Sequence, residues 1–233
     1  MNDLLSGRNI IRRRIIDAAL KEFSTNGFCD AKLRSIAKNS GISLPQVYYY
    51  MGNRQSVYDQ LIKYAFDLLI ERYLQPVFSF INNSGVEPDV KLAILLYAQS
   101  LLSGRPAVRS IRQLCIRDIA DGKNVTSEYG RQYMVNYLAG IEDIIKQGVK
   151  KGIFETPVIP MIAMNIVSFT GTSLQEDPVF HIYNPPLYID NDGLYQSFVE
   201  FIFKTLTPAG GITAIPVLDV EIKKRCSALI NNI

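Results

Sequence analysis

The chain has 233 residues, 48% of them hydrophobic and 20% charged, with a formal net charge of +3. That composition excludes a disordered chain and supplies a sizeable core. Three scattered cysteines (Cys29, Cys115, Cys226) and one histidine (His181) exclude a disulfide framework and any Cys/His metal cluster, and point to a reducing compartment. No apolar run reaches the ~18 residues that a membrane span needs, and no apolar leader opens the chain. The expectation is a cytoplasmic protein without a membrane partner. Charge is uneven: residues 1–54 hold nine Lys/Arg against four acids, net +5, which leaves the remainder at −2. A polyanion partner at one end fits that division.

Residues 1–9 are polar and read as a frayed start. Ile15, Ala19 and Phe23, with Ile16 and Leu20, recur at four-residue spacing and predict an amphipathic helix over 10–25 that stops at Gly27. Arg12, Arg13 and Arg14 crowd its beginning, where cations oppose the helix macrodipole; a phosphate partner would explain them. Asp30 is placed to cap a second helix carrying Leu33, Ile36 and Ala37 inward. Gly41 can take the left-handed conformation of a tight turn. Ser43 is a ready N-cap for a third helix over 43–50, and Val47 points back at the second. Small Ala37 lets the two helices cross closely, the helix-turn-helix arrangement. Gly52-Asn53 ends it, and Arg54 opens a long helix with Tyr58, Leu61, Ile62, Ala65, Phe66 and Leu69 along one side. Pro76 kinks or ends that helix.

The pattern stays helical over 87–103, 107–120, 127–150, 157–174 and 194–206. The proline-bearing stretch 175–192, with His181, reads as a loop, and the tail 212–233 as an extended segment followed by a short helix over 218–230. Residues 161–174 are apolar nearly all round, so that helix should be covered on more than one side. The fold class expected is all-α.

Ile15-Ile16-Asp17-Ala18-Ala19-Leu20, Phe23, Gly27, Ile36-Ala37, Gly41-Ile42-Ser43, Val47-Tyr48-Tyr49-Tyr50 and Arg54 together resemble the N-terminal domain of TetR-family transcriptional regulators. The resemblance implies a three-helix DNA-binding domain (1–53), a helical effector-binding and dimerisation domain (54–210), and a C-terminal extension (211–233). It departs from the family at Ala31-Lys32, where a Thr pair is usual, and at Tyr50, Met51 and Arg54, which stand for His, an aromatic and Lys.

On this reading Leu44, Pro45, Gln46 and Tyr49 face the bases. Gln46 is the one long amide, able to pair both groups with adenine N6/N7. Lys32, Arg34, Ser43, Tyr48 and Arg54 would hold phosphates. Tyr97, Tyr133, Tyr137, Met164, Asn165, Ser168, Phe169 and Thr172 could mix polar groups into an apolar ligand pocket. The helices at 161–174 and 194–206 fit the place of the family's dimer interface. No catalytic residue, metal ligand or cofactor is expected. The partners expected are double-stranded DNA, a second copy of the chain and an unidentified small-molecule effector. The function implied is a ligand-responsive homodimeric repressor; the alternative is an effector-independent architectural or division-linked DNA-binding protein of the same fold.

Overall fold

The computed structural model describes residues 2–123, 125–171, 191–208 and 215–231, and among these it contains helices and no strand. The expected periodicity becomes α1 (Asn2–Asp30), α2 (Leu33–Ser40), α3 (Leu44–Met51) and α4 (Arg54–Leu69). Then follow α5 (Gln75–Asn83), α6 (Pro88–Ser103), α7 (Pro106–Ala120), α8 (Val125–Lys150), α9 (Ile159–Gly171), α10 (Asn191–Leu206) and α11 (Val220–Asn231). Helix α1 corrects one expectation and meets another. It begins at Asn2, not near Ile10, so the triple arginine lies mid-helix and does not oppose a helix N-terminus. The helix breaks at Gly27 as expected, where φ 71° and ψ −179° are not helical, and one further turn follows to Asp30.

Helical backbone continues past Pro76, but not as one regular α-helix from Arg54. A proline has no N–H to donate, and its ring excludes the carbonyl one turn earlier. The backbone widens ahead of it into a π-helical turn, Ile70–Leu74, and α5 then starts with Pro76 in its first turn, where a missing N–H costs nothing.

Packing divides the chain into two compact units: residues 1–69 with 106–133, and residues 70–105 with 134–233. These units cut the chain elsewhere than the division by role at 53/54. In the first, α1 packs on α2, α3, α4 and α7, and Ile15, Ala19, Phe23, Ile36, Val47, Val57 and Leu61 lose all solvent contact. Each of these side chains larger than Ala19 contributes about 1.5–3 kcal/mol.

Helix α7 enters this unit through a polar anchor. Asp118, fully buried, accepts from the Tyr58 hydroxyl at 2.7 Å, the Thr126 N–H at 2.8 Å and the Thr126 hydroxyl at 2.7 Å. Burial first, and then the bond to Asp118, hold the Tyr58 hydroxyl far above its ordinary pKa, so it stays a donor. Tyr58 meets the rings of Phe23 and Phe28 edge-on at 5.0 and 5.1 Å. Asp121, just past α7, accepts from the Phe28 N–H at 3.2 Å, immediately after the bend at Gly27.

In the second unit α6 is central, with Leu92, Ile94, Leu95 and Ala98 fully buried and α5, α9, α10 and α11 packed on it. Gln99 ties α6 to α9 by donating to the Ile166 carbonyl at 3.2 Å. Helix α11 buries Cys226 and Ile230, and Asn231 accepts from Arg105. The tail therefore ends in a packed helix of this unit. The loop expected over 175–192 and His181 fall outside the described residues up to 190; α10 takes up the chain at Asn191.

Candidate nucleic-acid interface

The turn between α2 and α3 is closed by the chemistry its sequence encodes. Gly41 sits at φ 66°, ψ 28°, its N–H donating to the Lys38 carbonyl at 3.2 Å. The Ile42 N–H reaches back to the Ala37 carbonyl at 3.1 Å, which completes a Schellman ending. A Cβ added at Gly41 would stand 2.6 Å from a terminal nitrogen of Arg14. Ser43 then caps α3 in a reciprocal box: the Gln46 N–H donates to Ser43 Oγ at 3.4 Å, and the Ser43 N–H donates to Gln46 Oε1 at 3.2 Å. The Ser43 hydroxyl also reaches Gln46 Oε1, at 3.0 Å.

Helix α3 anchors itself by Val47 and Met51, both buried, and turns Pro45, Gln46, Tyr48 and Tyr49 outward; Tyr49 is 74% exposed. Leu44 is half-buried beside them. Its C-terminus is held to α1, since Arg12 donates to the Tyr50 carbonyl through Nε at 3.3 Å and a terminal nitrogen at 3.1 Å. A cation there satisfies an end-of-helix carbonyl and complements the dipole. Arg13 pairs with Asp17 at 3.1 Å and lies over the Tyr64 ring. Arg12 and Arg13, two of the three crowded arginines, are thus engaged within this unit, and Arg12 fixes the end of α3.

The start of α2 differs from expectation as well. Asp30 does not cap it. Helix α2 begins after Lys32, without a side-chain cap, and buried Glu22 instead accepts from the Lys32 N–H at 3.0 Å. That carboxylate sits near the helix N-terminus, where negative charge is favoured. Lys32 and Arg34 are exposed at this end of α2. Arg54 is half-buried: it donates to the Cys29 carbonyl at 2.8 Å and lies 4.7 Å from the Phe28 ring centroid, a ring that the Lys123 ammonium also meets, at 3.6 Å. Its guanidinium braces the α1–α2 connection, a competing claim on a group expected at phosphate.

The expected pocket residues are not brought together as one wall. Tyr133 is buried against Phe66 in the first unit. In the second, Tyr137 is buried with its hydroxyl 3.4 Å from that of Tyr73, and Tyr97 is half-buried with Lys223 over its ring. Met164, Asn165 and Ser168 face outward on α9, because Ile162, Ala163 and Ile166 occupy the side that meets the core. The side chain of Phe169 and all of Thr172 lie outside the described residues. Met161 (64% exposed), Met164 (52%) and, on α10, Phe201 (53%) give these two helices an outward apolar surface.

Sequence reasoning missed Glu22, Asp118 and Asp121 as organisers of the head. Glu22 and Asp118 had a signal: each is an acid at an inward register position, beside Phe23 and four residues after Leu114.

The profile of the family described as "Bacterial regulatory proteins, tetR family" matches residues 15–61. The uncharacterised HTH-type transcriptional regulator YdgC of Bacillus subtilis (strain 168) is 39% identical over 91 residues, 36% of this chain and 43% of that protein. IcaR of Staphylococcus aureus (strain Newman), the HTH-type negative transcriptional regulator of the biofilm operon icaADBC, is 36% identical over 59 residues, 25% of this chain and 32% of its own length. The chain therefore spans less than half the length of these relatives. Among solved structures, AibR in complex with isovaleryl coenzyme A and operator DNA superposes with a TM-score of 0.62 at 14% identity, over 83% of this chain and 98% of that one; at that identity the likeness shows the fold. No described helix is long and apolar enough to cross a membrane. The capped turn, the outward face of α3 and the match over residues 15–61 show that this stretch is a helix-turn-helix head of the tetR-family type.

Proposed function

We propose that the chain is a ligand-responsive repressor that binds a near-palindromic operator as a homodimer and leaves it when a small molecule binds. The observation that carries this reading is the composition of α3: Val47 and Met51 fix the helix, and Pro45, Tyr48, Tyr49 and the Nε2 end of Gln46 are left outward for a partner. Leu44, Pro45, Gln46 and Tyr49 would meet base edges in the major groove. Lys32, Arg34, Ser43 and Tyr48 would meet phosphates, supplying affinity without sequence information. Repression is supported by the likeness of the matched head to that of IcaR, a negative transcriptional regulator.

One such head reads too few bases for a specific site, and a two-fold pair would read a palindrome. The outward surface of α9 and α10, with Met161, Met164 and Phe201, is the face proposed for that pairing. By role, 1–53 is the reading head, 54–210 the effector and dimer domain, and 211–233 an extension, with Tyr97 and Tyr137 kept as pocket candidates. A protein that acts on an operator would work in the cytoplasm. The effector acts only through its different affinity for the DNA-competent and DNA-incompetent states.

Selection from a randomised duplex pool at two salt concentrations tests the operator, and failure to enrich a two-fold symmetric site refutes the repressor reading. Release of the selected duplex by acyl-CoA thioesters, starting with isovaleryl-CoA, the ligand of AibR, is the first effector screen.

A further inference from the structure

The amide of Gln46 has two ends, and only one of them is available to DNA. Its Oε1 accepts from the Ser43 N–H at 3.2 Å and from the Ser43 hydroxyl at 3.0 Å. The orientation follows from the partner, because a backbone N–H can only donate and so must face the oxygen. Nε2, with two N–H groups and no bond to any described residue, is the end left over on an exposed side chain of α3. Recognition of adenine by an amide needs both ends at once, the oxygen accepting from N6–H and the nitrogen donating to N7. That pairing would withdraw Oε1 from Ser43 and open the reciprocal cap of the helix doing the reading.

We propose that Gln46 is a specificity-determining residue that acts as a donor only and selects a base edge made of acceptors, guanine N7 and O6. The inference rests on α3 being the reading helix, as proposed above. Cytosine offers a donor at its major-groove edge, and adenine pairs its N7 with a donor. Guanine alone among the four presents two adjacent acceptors and no donor on that edge. The cap therefore decides the letter: Ser43, which need touch no base, fixes which end of Gln46 does.

The test is selection from a randomised duplex pool by the full chain and by three variants, with thermal unfolding run in parallel. The base pair read by Gln46 is defined as the one whose preference is lost in Gln46→Ala. For the wild type that pair should be G·C, and replacing its guanine by 7-deazaguanine should weaken binding roughly tenfold, the size of one good base contact. Gln46→Lys, also donor-only, should keep G·C. Gln46→Glu keeps the acceptor that Ser43 needs, so it should fold with unchanged melting temperature and lose the preference for G·C. Adenine·thymine at that pair, or a Gln46→Ala variant that selects the wild-type site unchanged, overturns the inference while the repressor reading stands. A wild type that enriches no site at all refutes both.

Discussion

Removing the Asp118 carboxylate puts the internal anchor of the reading head to a quantitative test. Asp118→Ala takes the acceptor away from three donors at once: the Tyr58 hydroxyl and the Thr126 N–H and hydroxyl, all within 2.8 Å and out of solvent. A buried donor left without a partner costs about 1–3 kcal/mol. Against that, the variant no longer buries a carboxylate, which recovers part of a desolvation penalty of several kcal/mol. The Thr126 hydroxyl can also rotate to a new acceptor. A net loss of about 3 kcal/mol follows from these opposing terms. Tyr58→Phe should cost less, about 1–1.5 kcal/mol, since Asp118 keeps both bonds to Thr126. The double variant should then lose less than the two singles together, by about 1 kcal/mol. Urea unfolding followed by far-UV circular dichroism supplies all four stabilities, provided the m-values agree. A loss below ~1 kcal/mol for Asp118→Ala, or additive singles, would show that the anchor is incidental to the packing around it.

Arg54 and Lys32 should separate by their salt dependence. Lys32→Ala should lower the slope of log affinity against log salt by about one, as the loss of one phosphate contact does. Arg54→Ala should weaken binding to every duplex with the slope unchanged, because its guanidinium is bonded to the Cys29 carbonyl and stacked on Phe28; a fall in slope would return it to the phosphate set. Thiol labelling of the folded chain at pH 8 should modify exposed Cys29 and spare the other two. Burial pushes the Cys115 thiol up to about 12, with nearby Asp118 adding to it, and Cys226 up to about 11. Since only the thiolate reacts, raising the pH toward 11 should recruit Cys226 before Cys115. Prompt labelling of Cys115 at pH 8 would contradict the upward shift of its thiol.

The features legible in the sequence are those whose cause is local. Gly41, Ser43 and Val47 declare a turn, a cap and an anchor by residue type alone, and the structure has all three in place. The internal bonds of the arginines were not legible because their partners are distant in sequence: the Tyr50 carbonyl lies 38 residues from Arg12, and the Cys29 carbonyl 25 from Arg54. Asp30 lost the role of cap to Glu22, whose carboxylate crosses from α1 to the Lys32 N–H. Periodicity shows that the helix at 161–174 is apolar on several sides, but it cannot tell core from a surface awaiting a partner. Met164 and Asn165 were taken as pocket candidates on that ambiguity, and both face outward on α9. Gln46 shows a different limit, for composition counts an amide as two hydrogen-bonding groups and capping quietly uses one.

The first unit is assembled from two separated lengths of chain, 1–69 and 106–133. A ribosome delivers the recognition helix early, but Asp118, Asp121 and Thr126 arrive only after the intervening stretch has been made. At the ~5–20 residues per second of synthesis, the head waits several seconds for its last pieces. During that interval Tyr58 and Phe28 lack the partners they have in the finished fold, so the nascent head is exposed to proteases and to premature association. Domain swapping meets the same obstacle. A chimera cut at residue 53 would carry the whole helix-turn-helix to a new host and leave behind the aspartates that brace it.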